Sequence, residues 1–119
     1  MSQSLLIYHN PRCSKSRQAL ALLHEQQIAV TIKLYLKEGL EEDEIVELSK
    51  KLDLYPSEFI RKNEAIAQSL GADDFSLEEW AAIIAKHPIL LERPIITNKT
   101  DAIIARPPER LVTWLAQLP

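Results

Sequence analysis

The chain of 119 residues holds a single cysteine, Cys13. An intrachain disulfide, a CxxC dithiol and a thiolate-rich zinc or iron–sulfur site all need more than one, so each is excluded. No bound metal or cofactor is expected, and any redox cycle at Cys13 must draw its second thiol from another molecule. Glycine is nearly as scarce, with only Gly39 and Gly71. No Gly/Ser linker, low-complexity tract or internal repeat appears, and residues 1–119 read as one domain. An excess of positive charge is also missing. Lys and Arg number 14 against 17 Asp and Glu, a net charge of −3. Domains that grip nucleic acid or anionic membrane are usually strongly basic, so neither is an expected partner. No apolar run approaches the roughly 20 residues of a membrane span. Met1 to Leu6 has no basic leader-like region. With one unpaired cysteine, the expected compartment is the reducing cytoplasm.

What is present is a globular composition, 46% hydrophobic and 26% charged. It is long enough to bury a core without covalent staples. Leu5-Leu6-Ile7-Tyr8 reads as a buried strand, which His9-Asn10-Pro11 ends. From Ser14 to about Gln26, Ala19, Leu20, Leu22 and Leu23 fall at helical spacing. Val30, Ile32, Leu34 and Leu36 alternate with polar residues and Tyr35 as a second, half-buried strand. Gly39 ends this β-α-β unit. A helix over 41–52 with an acidic start comes next, then a proline-started turn from Pro56 to Arg61 and a short helix near 64–70 stopped by Gly71. Ser76 and Glu79 have capping-box spacing for a helix from Leu77 to about Lys86. Ile95–Thr97 and Ala102–Ala105 read as a hairpin turning at Asn98–Asp101, and a last helix follows over Glu109–Leu118. The order is β-α-β, a helical block, then β-β-α. It predicts an α/β fold, a thioredoxin-like sandwich with helices inserted in its middle.

Cys13 sits where the first strand gives way to the first helix. A helix N-terminus offers free N–H groups and a positive dipole end, which favour thiolate and anion alike. Arg12, Lys15 and Arg17 crowd the same loop and are expected to lower the thiol pKa further. A nucleophile inside an anion site points to an anionic substrate. Two known chemistries do not fit the spacing. A tyrosine-phosphatase-type loop needs arginine where Ala19 stands, and a dithiol oxidoreductase needs cysteine where Ser16 stands. What remains is a monothiol Cys13-Ser14-Lys15-Ser16.

The stretch from Tyr8 to Arg17 resembles the nucleophile loop of the glutaredoxin-coupled arsenate reductase family. Tyr35-Leu36, Ile60-Arg61-Lys62-Asn63, the run from His87 to Ile95, and Arg106-Pro107 resemble further family segments in the same order. The resemblance implies a thioredoxin-like fold with a four-stranded mixed sheet, reduction of arsenate to arsenite, and arsenate or a similar small oxyanion as the bound partner. Cys13 would form a thiol–arsenate adduct, and Arg61, Arg93 and Arg106 would bind and orient the oxyanion. Glutathione would act as co-substrate and glutaredoxin as the resolving partner. In a thioredoxin-like fold a cis-proline faces the reactive cysteine, so the Arg93–Pro94 bond is expected to be cis. His9, Asn10 and Ser16 are supporting candidates: His9 and Ser16 at the thiolate, with Ser16 as a donor to the sulfur, and Asn10 as a loop brace. Each also reads as an ordinary loop or first-turn residue. Ser14-Lys15 depart from the glycine and threonine common in the family. Two alternatives stand beside this reading: a glutathione-dependent thiol/disulfide reductase, from the CxxS arrangement, and a non-enzymatic redox-responsive regulator of the kind that binds RNA polymerase.

Overall fold

Strand β1 (Leu5–Tyr8) and helix α1 (Ser14–Glu25) form where apolar run and helical periodicity place them. The chain returns as β2 (Val30–Lys33), parallel to β1. Much later, β3 (Ile95–Thr97) runs antiparallel to β1, and β4 (Ala102–Ile104) runs antiparallel to β3. The four strands make one mixed sheet in the order β2-β1-β3-β4. This is the sheet of a thioredoxin-like α/β sandwich. The computed structural model describes residues 5–70 and 74–118. It divides into two compact units, one of Met1–Tyr35 with Arg93–Pro119, the other of Leu36–Glu92.

In the first unit, register lines up one isoleucine from each strand: Ile32, Ile7, Ile96 and Ile103. Ile7 and Ile96 are fully buried at the centre of this row. Ala19 and Leu23 of α1 and Leu111 of the last helix, α6 (Arg110–Ala116), complete the same core. Ile32 belongs to the row but lies on the edge strand, which leaves it 41% exposed. The hairpin turn is held by Asn98, whose Oδ1 accepts the N–H groups of Thr100 and Asp101 at 2.9 and 2.7 Å.

The expected second strand is too long by the three residues Leu34 to Leu36. Pairing ends at Lys33, and Tyr35–Glu38 forms a short helical turn, α2. Tyr35 is fully buried there and Leu36 is 42% exposed, the reverse of the alternation expected for a strand. A run of alternating residues contains no mark of where the chain leaves the sheet. Gly39 follows with φ +86°, a left-handed conformation that favours glycine.

The second unit is helical. Helices α3 (Glu42–Leu52) and α5 (Leu77–Lys86) pack together, with α4 (Ala65–Leu70) between them in sequence. The capping box at α5 forms as its spacing requires. Ser76 Oγ accepts from Glu79 N at 3.1 Å, and Glu79 Oε1 accepts from Ser76 N at 2.8 Å. The turn expected over Pro56–Arg61 shortens to a 3-10 turn at Pro56–Glu58. Ile60 instead bridges Leu91, and Arg61 N donates to the Leu90 carbonyl at 2.7 Å. The expectation that Gly71 stops α4 lies outside the described residues. The last helix is shorter than expected at both ends, Arg110–Ala116; at its start, Pro107 and Pro108 form an entry turn by accepting from Arg110 N and Leu111 N. Among the described residues, no helix is long and apolar enough to cross a membrane.

Candidate active site

Cys13 is the N-cap of α1 and is 8% exposed. Its own N–H is used by the loop, donating to the Asn10 carbonyl at 2.9 Å. Its sulfur faces the open N–H groups of the helix. The backbone N–H groups of Lys15 and Ser16 donate to it, and the guanidinium of Arg93 adds a further hydrogen bond and a positive charge. Burial pushes the thiol up and is the largest single influence; the Ser16 N–H, the Arg93 charge, the Lys15 N–H and the Arg93 hydrogen bond together outweigh it. The thiol ends below its ordinary 9.0. The first turn of α1 has no acidic residue to compete for those N–H groups.

The source of the positive charge differs from the expectation. Arg93, remote in sequence, acts on the sulfur, whereas the neighbours Arg12 and Arg17 are exposed and Lys15 contributes through its backbone. Arg17 donates from Nη1 to the Pro11 carbonyl at 2.7 Å, so it braces the loop. Asn10 does the same from inside, its Oδ1 accepting from Arg12 N at 3.0 Å.

Ser16 also differs from the expectation. Its hydroxyl does not serve the sulfur; it accepts from Asn10 N at 3.0 Å and lies 2.7 Å from His9 Nδ1. Ser16 is fully buried, and His9 and Asn10 nearly so. The three form a polar plug beneath the loop, and what Ser16 gives the thiol is its backbone N–H. Burial first, and then the charge of Arg17, hold His9 below the usual 6.5. As pH falls below 6.5, the unfolded chain takes up a proton at this position that the folded chain resists. Stability linked to His9 is therefore complete above 6.5 and lost as pH falls through the lowered value. Urea midpoints are expected to drop on acidification below 6.5 and to drop less in His9→Gln. Equal slopes in the two proteins would contradict this.

Arg93 precedes Pro94 through a cis peptide bond, as expected. A second cis bond joins Arg106 to Pro107, where the sequence carries no such expectation. Arg106 Nη1 donates to the Arg93 carbonyl at 3.1 Å, which joins these two prolyl segments. Its only sequence signal was the pair of Arg-Pro dipeptides, which does not disclose a contact. Arg61 belongs to the other unit and pairs with Glu64 at 3.1 Å. Of the residues singled out from the sequence, Cys13, Ser16 and Arg93 meet at the sulfur, Arg106 joins through Arg93, and His9, Asn10 and Arg17 support the loop. Among the described residues, no group of three His, Cys, Asp or Glu side chains is placed to hold a metal ion.

The profile of the ArsC family matches residues 8–113, nearly the whole chain. This chain belongs to the ArsC family. An arsenate reductase of Haemophilus influenzae is 40% identical over 115 residues, covering 94% of this chain and 99% of that protein. An uncharacterised protein of Escherichia coli K12 is 39% identical over 94% of this chain and 97% of its own length. Among solved structures, an arsenate reductase from Vibrio cholerae superposes with a TM-score of 0.88 at 37% identity, covering 95% of this chain and 98% of that one. Membership places this ArsC chain among oxidoreductases. In the ArsC chain, two backbone donors and a guanidinium converge at the Cys13 sulfur. That arrangement stabilises negative charge on a thiolate.

Proposed function

We propose that the chain reduces arsenate to arsenite with electrons from glutathione and glutaredoxin, in the cytoplasm, as one functional domain over residues 1–119. The observation that supports this most is the convergence of Arg93 and the Lys15 and Ser16 N–H groups on Cys13. Arsenate, like a phosphate group, carries nearly two negative charges at neutral pH. A thiolate approaches such an anion only where positive charge offsets the repulsion. Guanidinium supplies it with a planar donor fork matched to two oxygens.

In the proposed sequence, the Cys13 sulfur forms an S–As bond and one arsenate oxygen leaves as water after protonation. Glutathione displaces a second oxygen and forms another S–As bond. A glutaredoxin thiolate then attacks the glutathione sulfur. That S–As bond breaks with its electron pair left on arsenic, which passes from As(V) to As(III). The mixed disulfide between glutathione and glutaredoxin is the oxidised product, its two sulfurs having supplied the two electrons that arsenic gains. Water releases arsenite and regenerates Cys13. The chain contributes one thiol, in keeping with its one cysteine.

The test is turnover with arsenate, glutathione, glutaredoxin, glutathione reductase and NADPH. Arsenate-dependent NADPH oxidation is expected, and its absence would overturn the proposal. Arg61 enters as an oxyanion ligand by family resemblance. Its ion pair with Glu64 is worth only about 0–1 kcal/mol. Arg61→Gln is therefore expected to fold normally and to raise KM for arsenate about tenfold or more, the usual worth of a charged hydrogen bond. An unchanged KM would remove Arg61 from the site.

A further inference from the structure

We propose that Arg106 is a positioning residue for Arg93. Through its hydrogen bond to the Arg93 carbonyl it sets where the Arg93 guanidinium meets the Cys13 sulfur, before any oxyanion arrives. The inference rests on reading Cys13 as a thiolate nucleophile and adds to the oxyanion-binding role that the family resemblance implies for Arg106.

The backbone between β3 and β4 shows why a side chain is needed. Their pairing runs from Thr97↔Ala102 to Ile95↔Ile104. One more bond extends it, from Ala105 N to the Pro94 carbonyl at 3.0 Å. Beyond this point two prolines interrupt the ladder. Pro94 lacks an N–H to return to Ala105, and Pro107 lacks one to continue outward. The N–H of Arg106 turns back to the Ile104 carbonyl at 3.0 Å. The Arg106 guanidinium takes over, with Nη1 3.1 Å from the Arg93 carbonyl. It thereby fastens the residue whose own guanidinium lies on the sulfur. The charge that lowers the Cys13 thiol is that of Arg93, and the proposed effect of Arg106 on the thiol passes through it.

The experiment is the pH profile of Cys13 alkylation by iodoacetamide, with no arsenate present, so it fails or succeeds independently of arsenate turnover. Two variants are used, Arg106→Gln and Arg106→Met. The second retains the aliphatic stem, and circular dichroism selects whichever is folded. Alkylation near pH 7 is expected to fall about threefold to tenfold and to converge with the wild type at high pH, because only the thiolate fraction changes. In an Arg93→Gln background the same substitution is expected to add nothing, the signature of one residue acting through the other. A profile that overlays the wild type would overturn the proposal. So would an equal fall with and without Arg93.

Discussion

Cys13→Ser is expected to abolish arsenate-dependent turnover, the largest effect expected of any substitution in the chain. Serine has nearly the size of cysteine and accepts the same N–H groups, so the loop and α1 are expected to keep their structure. Chemistry is what changes. The thiol at this position is held below its ordinary 9.0 by the Ser16 and Lys15 N–H groups and by Arg93, against the opposing effect of burial. A serine hydroxyl in the same cradle stays protonated at neutral pH and cannot form the S–As bond that starts the reaction. Removing an essential nucleophile costs on the order of 10⁴-fold to 10⁶-fold in kcat. No other cysteine is present to substitute for it. In the coupled assay the expected rate is that of the mixture without enzyme. A Cys13→Ser protein that retains even a hundredth of the wild-type rate would place the nucleophile elsewhere.

Arg93→Gln has the second largest expected effect, and it acts on two properties at once. The substitution removes a positive charge and a hydrogen bond from the Cys13 sulfur, so the thiol pKa rises. It also removes a guanidinium fork from the proposed oxyanion position. Loss of one preorganised donor to developing negative charge costs about 10²-fold to 10³-fold in kcat. The expected result is a fall of that order in kcat/KM for arsenate, with a pH–rate profile displaced to higher pH. Arg93→Lys retains charge without the planar fork. Its profile is expected to lie closer to the wild type in pH than its kcat/KM does in magnitude. An Arg93→Gln enzyme whose pH profile is unmoved would contradict the contact with the sulfur.

The parts of the fold legible in the sequence were those with local signals. Leu5–Tyr8 is a short apolar run ended by proline and asparagine, and the strand has those bounds. Leu77–Lys86 has a capping box at one end and His87-Pro88 at the other, and the helix has those bounds too. The end of β2 carries no such mark. Leu34 and Leu36 continue the alternation although the chain has already turned into α2. The site divides along the same line. Cys13 at a helix start was legible because both halves of the signal lie within a few residues. The charge on it was misplaced, because Arg12 and Arg17 are close in sequence whereas Arg93 is close in space. Ser16 reads as a donor to the sulfur because it stands where a dithiol protein has its second cysteine. Its place in the helix is evident from sequence, but its rotamer is decided by buried His9 and Asn10 on the other side. The hydrogen bond from Arg106 to Arg93 depends on how β3 and β4 end, which no local pattern encodes.

Cys13 and Arg93 are proposed to form one site, in which the thiolate bonds to arsenic while the guanidinium holds its oxygens. A crystal of the protein soaked with arsenate tests this most directly. The predicted result is arsenic density continuous with Cys13 Sγ and an Arg93 guanidinium on the arsenate oxygens. Arsenate bound elsewhere, with Cys13 Sγ unmodified and Arg93 turned away from it, would rule out such a site.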